Sequence, residues 1–236
     1  MNPAPTIPIK ECGEPFAAIP EGVFARFTPH PYMALGAPYN GVSPWMLRQG
    51  VLDALIRVQK RLALIRHGWK IMLFDCYRSN AVQIFMAERE FVIQAKAAGL
   101  DPANLTIEQR AVLEKKVFRV FGRPSEDAAT PPAHSTGGAV DCTFADASGH
   151  EVDMGSPIDE NSERSNPNYF ADAKDVSGQK AHANRILLNE LLSAEGFHRD
   201  ETEWWHFSRG DRQWARIERE RGNRDAVAVY GRGDQF

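Results

Sequence analysis

Two short segments hold the residue types that metal-assisted hydrolysis uses. One is His134-Ser-Thr-Gly-Gly-Ala-Val-Asp141; the other, further along the chain, is Glu203-Trp-Trp-His206. Catalytic zinc takes three protein ligands and leaves a fourth position open. His134, Asp141 and His206 meet that need for one Zn2+ per chain. Bound zinc lowers the pKa of a water ligand to about 7. A neighbouring carboxylate then has a task, to accept the water's proton and pass it to the leaving amine. Glu203 is the candidate. Taken singly, the histidines read more simply as hydrogen-bonded or surface residues, and Trp204-Trp205 as core aromatics. The H-x6-D spacing is by itself a weak signal.

These groups need elements that aim them. Residues 139–144 predict a strand with Val140, Cys142 and Phe144 on one face and Ala139, Asp141 and Thr143 on the other. Gly137-Gly138 allows a sharp turn, so a loop ligand and a strand ligand can converge. Residues 203–208 read as the last strand. Residues three apart in a strand point to opposite faces. Glu203 and His206 therefore serve one metal only if the backbone is irregular near 203–204, or if Glu203 precedes the strand proper.

The rest of the chain supplies the scaffold. Ser43-Pro44 predicts a helix start, with an apolar stripe at Leu47, Val51, Leu55, Val58, Leu62 and Ile65 and a stop at Gly68. Residues 70–75 predict a buried strand, with Tyr77-Arg78 just past its end. Ser79 caps a helix to about Ala98, stopped by Gly99. Thr106 and Gln109 form a capping box for a third helix through Phe121. Residues 150–154 predict the return strand of a hairpin. Residues 155–177 form a long polar loop, which in a compact domain usually serves function. A helix over 178–195 ends at Gly196, and the charged tail carries one more. The expectation is one α+β domain over 1–236: an irregular N-terminal wrap (1–42), a small central antiparallel sheet flanked by helices with the zinc site at the sheet surface, and a C-terminal tail (211–236).

Composition narrows the class. The chain has 236 residues, 25% of them charged and 43% hydrophobic, and a formal net charge of -3. A nucleic-acid binder carries a basic excess instead. No apolar run reaches the ~20 residues a membrane helix needs, and the first residues lack a basic and apolar leader pattern. A cytoplasmic protein is expected, with no nucleic-acid or membrane partner. Three cysteines at unpatterned spacing exclude a disulfide scaffold; Cys76 and Cys142 read as buried, reduced thiols.

The motifs together resemble the D-alanyl-D-alanine dipeptidase family, the zinc metallopeptidases of the vancomycin-resistance dipeptidase group. His134-x6-Asp141 with Gly138 and Ala139, then Glu203-Trp-Trp-His206, carry the likeness. Asp75-Cys-Tyr-Arg78, Asp153-Met-Gly-Ser-Pro-Ile-Asp159, Glu163-Arg-Ser165, Asn184-Arg185 and Gly196-Phe197 extend it over about Pro31 to Gly210. The resemblance implies that His134, Asp141 and His206 bind zinc, that Glu203 is general base and then acid, and that Arg78 meets the developing oxyanion. It implies that Asp159 holds the free amino group of a small dipeptide, D-Ala-D-Ala or a relative. Read alone, Arg78 is a structural ion pair with Asp75 and Asp159 a loop-capping residue. One position departs from the family pattern: Pro132 stands where a serine often helps hold the substrate carboxylate, and Ser135 or a backbone N–H is the candidate substitute. Two other readings stay open, a peptidoglycan D,D-carboxypeptidase or L,D-endopeptidase of a related family, and a non-enzymatic metal- or peptide-binding module.

Overall fold

The structure, a computed structural model, describes residues 7–233; residues 1–6 of the expected wrap and 234–236 of the expected tail lie outside the described residues. In chain order the elements are β1 (Phe16–Ala18), β2 (Ala25–Arg26), α1 (Pro31–Ala34), β3 (Met46–Arg48), α2 (Gln49–Ile65), β4 (Lys70–Asp75) and α3 (Asn80–Ala97). After these come α4 (Ile107–Val117), β5 (Ala139–Ala145), α5 (Val176–Ser193), β6 (His198–Arg199), β7 (His206–Ser208) and α6 (Arg212–Glu220). A five-stranded sheet in the order β2-β4-β5-β7-β6 forms the centre. It is antiparallel throughout except for the short edge pair β2/β4. Helices flank it, as the α+β expectation required. β1 and β3 form a separate antiparallel ribbon.

Every residue of β5 is buried. Val140, Cys142 and Phe144 enter the main apolar cluster together with Val51, Leu55, Val58 and Leu62 of α2. Each such side chain contributes roughly 1.5–3 kcal/mol on burial. The opposite face of β5 carries the alternate set, Asp141 included. Cys76 and Cys142 are buried free thiols, as expected.

The helix signals mostly hold. Ser79 caps α3 through Val82 N (3.4 Å), and the Thr106–Gln109 capping box opens α4. α4 stops at Val117, short of Phe121. The helix expected from Ser43-Pro44 is a correction. Residues 46–48 pair with β1, and α2 begins only at Gln49. The Ser43 hydroxyl instead accepts from Trp45 N at 3.1 Å, a local turn of the kind Ser offers as an alternative to helix. Strand pairing across the fold outweighs the local cap. The expected hairpin return over 150–154 reduces to a single bridge, Ala145 with Glu151. The last strand spans His206–Ser208 rather than 203–208, and the two-residue β6 beside it is an element the pattern did not show.

Two local features aim the site. Between Leu73 and Asp75 the β4/β5 register shifts, so that Leu73 pairs with Cys142 and Asp75 with Asp141. This bulge turns Asp75 to the face that Asp141 and His206 share; bulges re-aim side chains in this way. Gly137 has φ +71, and a Cβ there would run into the Phe16 ring and approach Arg48 N at 3.1 Å. The tight turn between the two ligand candidates thus needs glycine, because a side chain would clash and the left-handed backbone strains other residues.

Candidate active site

Asp141 and His206 are cross-strand partners on β5 and β7, so their side chains stand on one face. His134 comes from a 3-10 turn, Ala133–Thr136, that precedes Gly137. One ligand atom from each of the three lies within 4.8 Å of the others, and all three residues are buried. His134 Nε2 is 3.2 Å from His206 Nδ1 and 3.2 Å from Asp141 Oδ2; His206 Nδ1 is 2.9 Å from Asp141 Oδ1.

The donor set fits a zinc ion in tautomer as well as in distance. His134 Nδ1 donates to the Cys76 carbonyl at 2.7 Å. A carbonyl only accepts, so Nδ1 carries the proton and Nε2 offers its lone pair. Metal-binding histidines characteristically use their second nitrogen in this way. Burial opposes charge on Asp141, but the His134 and His206 imidazoles outweigh it and hold its pKa well below the carboxylate range. Burial likewise opposes charge on His206, yet the Asp141 hydrogen bond and charge raise its pKa to about 9.

Glu203 lies before β7, in the irregular stretch that the shared-metal geometry demanded. Asp200 builds that stretch: its Oδ1 accepts from Thr202 N (2.6 Å) and Glu203 N (3.1 Å), a turn that Asp side chains favour. Trp204 and Trp205 then lock it by burial, edge-to-face with centroids 5.4 Å apart. The Glu203 carboxylate makes no ion pair or hydrogen bond with another described residue and lines a cavity of about 880 Å³ together with Arg78, His134 and His206. Burial pushes its pKa well above the usual value. A buried carboxyl with a raised pKa in a cleft is an acid–base candidate on physical grounds.

Arg78 is anchored on three sides. Its Nη1 donates to Asp75 Oδ2 (2.8 Å) and to the Tyr32 hydroxyl (3.2 Å), and its Nε donates to Gln83 Oε1 (2.7 Å). The ion pair with Asp75 that the sequence suggested is therefore present, and the same nitrogen lies 3.6 Å from Asp141 Oδ2. Burial opposes charge on Asp75, but the His30 hydrogen bond and the Arg78 charge lower its pKa. His30 (3.1 Å) and Tyr39 (3.2 Å) both reach Asp75 Oδ1. Sequence reasoning missed His30, Tyr32 and Tyr39, because they lie in a stretch without periodicity.

Asp159 stands apart from the cavity wall and joins the site through Tyr32, whose hydroxyl donates to it at 2.9 Å while accepting from Arg78. Its backbone φ is +65, rare for a residue with a side chain and a recurrent mark of functional loops. Burial, with Asp141 adding, pushes its pKa up to about 7. Arg185 holds the loop that bears it: this buried guanidinium donates to the carbonyls of Met154 (2.7 Å), Arg164 (2.9 Å) and Asn166 (2.8 Å) and to Ser156 Oγ (3.0 Å). Ser135 is a correction. It is fully buried, and its hydroxyl gives its proton to Pro132 O at 2.8 Å. The turn that presents His134 points Ser135 inward, so it does not reach the cavity.

The sequence model of the D-ala-D-ala dipeptidase family, peptidase M15, matches residues 26–221. A D-alanyl-D-alanine dipeptidase of Synechocystis sp. is 41% identical over 240 residues, covering 98% of this chain and 97% of that protein. A D-alanyl-D-alanine dipeptidase of Escherichia coli is 38% identical over 156 residues, covering 66% of this chain and 63% of that one. Among solved structures, the vancomycin-resistance D,D-pentapeptidase VanY aligns over 78% of this chain and 82% of its own at a TM-score of 0.44 and 13% identity, a likeness too distant to bear on function. With near-complete coverage by one relative and a family match across most of its length, the chain belongs to the peptidase M15 family of D-Ala-D-Ala dipeptidases and is a zinc-dependent dipeptidase.

Proposed function

We propose that this protein hydrolyses D-Ala-D-Ala and related dipeptides, with zinc held by His134, Asp141 and His206, Glu203 as the proton carrier and Arg78 as the oxyanion partner. One observation carries the reading: three ligand atoms lie within 4.8 Å of one another, and two of the residues that bear them, His134 and His206, line a cavity with the Glu203 carboxyl, which no other described residue pairs. When bound, zinc supplies a Lewis acid and lowers the pKa of water to about 7. Glu203 takes a proton onto its carboxylate from the attacking water and returns it to the leaving amine. Burial raises its pKa above the usual value, which favours holding the proton between the two steps. Arg78 is immobilised by Asp75, Tyr32 and Gln83. A cation fixed before the reaction stabilises developing negative charge without reorganising. Asp159 holds the substrate ammonium, with Tyr32 bridging it to Arg78.

One apolar cluster joins the sheet to α2, α3 and α5, which supports a single catalytic domain. Among the described residues no helix is long and apolar enough to cross a membrane. Free buried thiols support a reducing, cytoplasmic setting, and a D-alanine dipeptide supports a place in cell-wall turnover. The test is D-alanine release from D-Ala-D-Ala before and after chelation. Release that stops with chelator and returns with zinc is expected; no release, or release indifferent to chelation, refutes the reading.

A further inference from the structure

His206 faces two ways. Its Nδ1 meets Asp141 and His134, as above. Its Nε2 lies 3.3 Å from Ser208 Oγ, two residues along the same face of β7. Ser208 in turn donates to Asp211 Oδ2 at 2.7 Å. A hydroxyl has one proton. With that proton committed to Asp211, Ser208 meets His206 only as an acceptor. Nε2 must then carry the N–H, and Nδ1 is the nitrogen that gives up its proton to bind a metal.

Asp211 is well placed to impose this. Its other oxygen accepts from Trp214 N at 2.8 Å, so it is the N-cap of α6. Ser208 and Asp211 are 0% and 1% exposed, so both contacts are shielded from bulk solvent. Capping needs only one carboxylate oxygen; the second is directed at Ser208. His134 obtains the same tautomeric lock from the Cys76 carbonyl. For His206 the lock runs through two side chains and ends on a helix.

We propose that Ser208 and Asp211 are positioning residues that hold His206 as an Nδ1 metal ligand, making the first turn of α6 part of the metal site. The proposal rests on His206 being a ligand, as argued above.

The decisive variant is Asp211→Asn. Asparagine caps helices about as well as aspartate, so Trp214 N keeps its acceptor. The amide N–H2 then faces Ser208 Oγ and donates to it. The Ser208 proton swings to His206 Nε2, which must present a lone pair, and Nδ1 keeps its proton. Zinc affinity, read by competition with a chromophoric chelator, is expected to fall about 10- to 100-fold, the usual cost of losing an outer-shell partner. The melting temperature of the zinc-free protein should stay at the wild-type value. Ser208→Ala removes the relay without touching the cap and should weaken zinc binding in the same direction; it decides the matter if Asp211→Asn does not fold. Wild-type zinc affinity in both variants, or in Asp211→Asn a loss matched by a lower zinc-free melting temperature, overturns the relay. His206→Ala binding zinc as tightly as wild type overturns the ligand assignment itself, and the relay with it.

Discussion

The protonation of Asp159 should set the acid limb of substrate binding. Its carboxyl is pushed up to about 7, first by burial and then by the Asp141 charge, with Arg78 and Tyr32 opposing. Below that pH it is neutral and does not hold an ammonium group. The α-amino group of a peptide loses its proton near 8, so binding is strongest between about 7 and about 8. One unit below its pKa only about a tenth of Asp159 is ionised, and KM rises about tenfold for each further unit. The free fold also loses stability at this residue as the pH climbs from about 4 towards 7, because its native pKa lies above the unfolded one; a bound ammonium restores it. Asp159→Asn is the clean perturbation, since Asn tolerates the φ of +65 that this position adopts. A hydrogen bond to a charged group contributes about 1.5–3 kcal/mol, which corresponds to about a 10- to 150-fold rise in KM. The assay is steady-state D-alanine release as a function of pH, with D-Ala-D-Ala and its N-acetyl derivative. Wild type should lose the stated factor on acetylation, and Asp159→Asn should lose almost nothing. A wild-type KM that is flat through the acid range, an acid limb that persists in the variant, or equal turnover of the blocked substrate refutes this role for Asp159. The last result would favour a carboxypeptidase.

Two further outcomes follow from the site. Glu203→Gln should retain zinc by metal analysis while kcat falls about 10²- to 10⁴-fold, the usual contribution of a positioned acid–base group; wild-type kcat would remove Glu203 from the proton path. Arg185→Met should remove four hydrogen bonds, to Met154, Ser156, Arg164 and Asn166, and leave the Met154 carbonyl without its donor, at a cost of about 3 kcal/mol or more in denaturant unfolding. Because these carbonyls shape the loop that bears Asp159, KM should rise more than kcat falls, and the opposite split would detach Arg185 from substrate binding.

Much of the scaffold was legible because its signals are local. Ser79 and the Thr106–Gln109 box cap helices through their own backbones, and β5 shows its two faces in its alternation. The requirement that the backbone be irregular near 203–204, or that Glu203 precede the strand, followed from strand geometry, and the structure places Glu203 before the strand, in the Asp200 turn. Local signals failed where distant partners compete. Ser43-Pro44 has the form of a helix start, yet β1 claims the next residues for a ribbon. Ser135 has the chemistry to hold a carboxylate, but the turn that aims His134 into the cavity aims Ser135 out of it.

By itself the sequence determined the inventory: two histidines, a strand aspartate and a glutamate at spacings that a glycine turn and one strand could bring together, with a helical frame to carry them. Only the tertiary structure decided what surrounds them. The β4 bulge puts Asp75 on the ligand face, which anchors Arg78 against Asp75, Tyr32 and Gln83. The Cys76 carbonyl selects the His134 tautomer, and Ser208 with Asp211 stands behind His206. These contacts depend on strand register and on chain segments far apart in sequence, and a register shifted by one residue would turn the strand-borne members, such as Asp141, His206 and Ser208, to the other face.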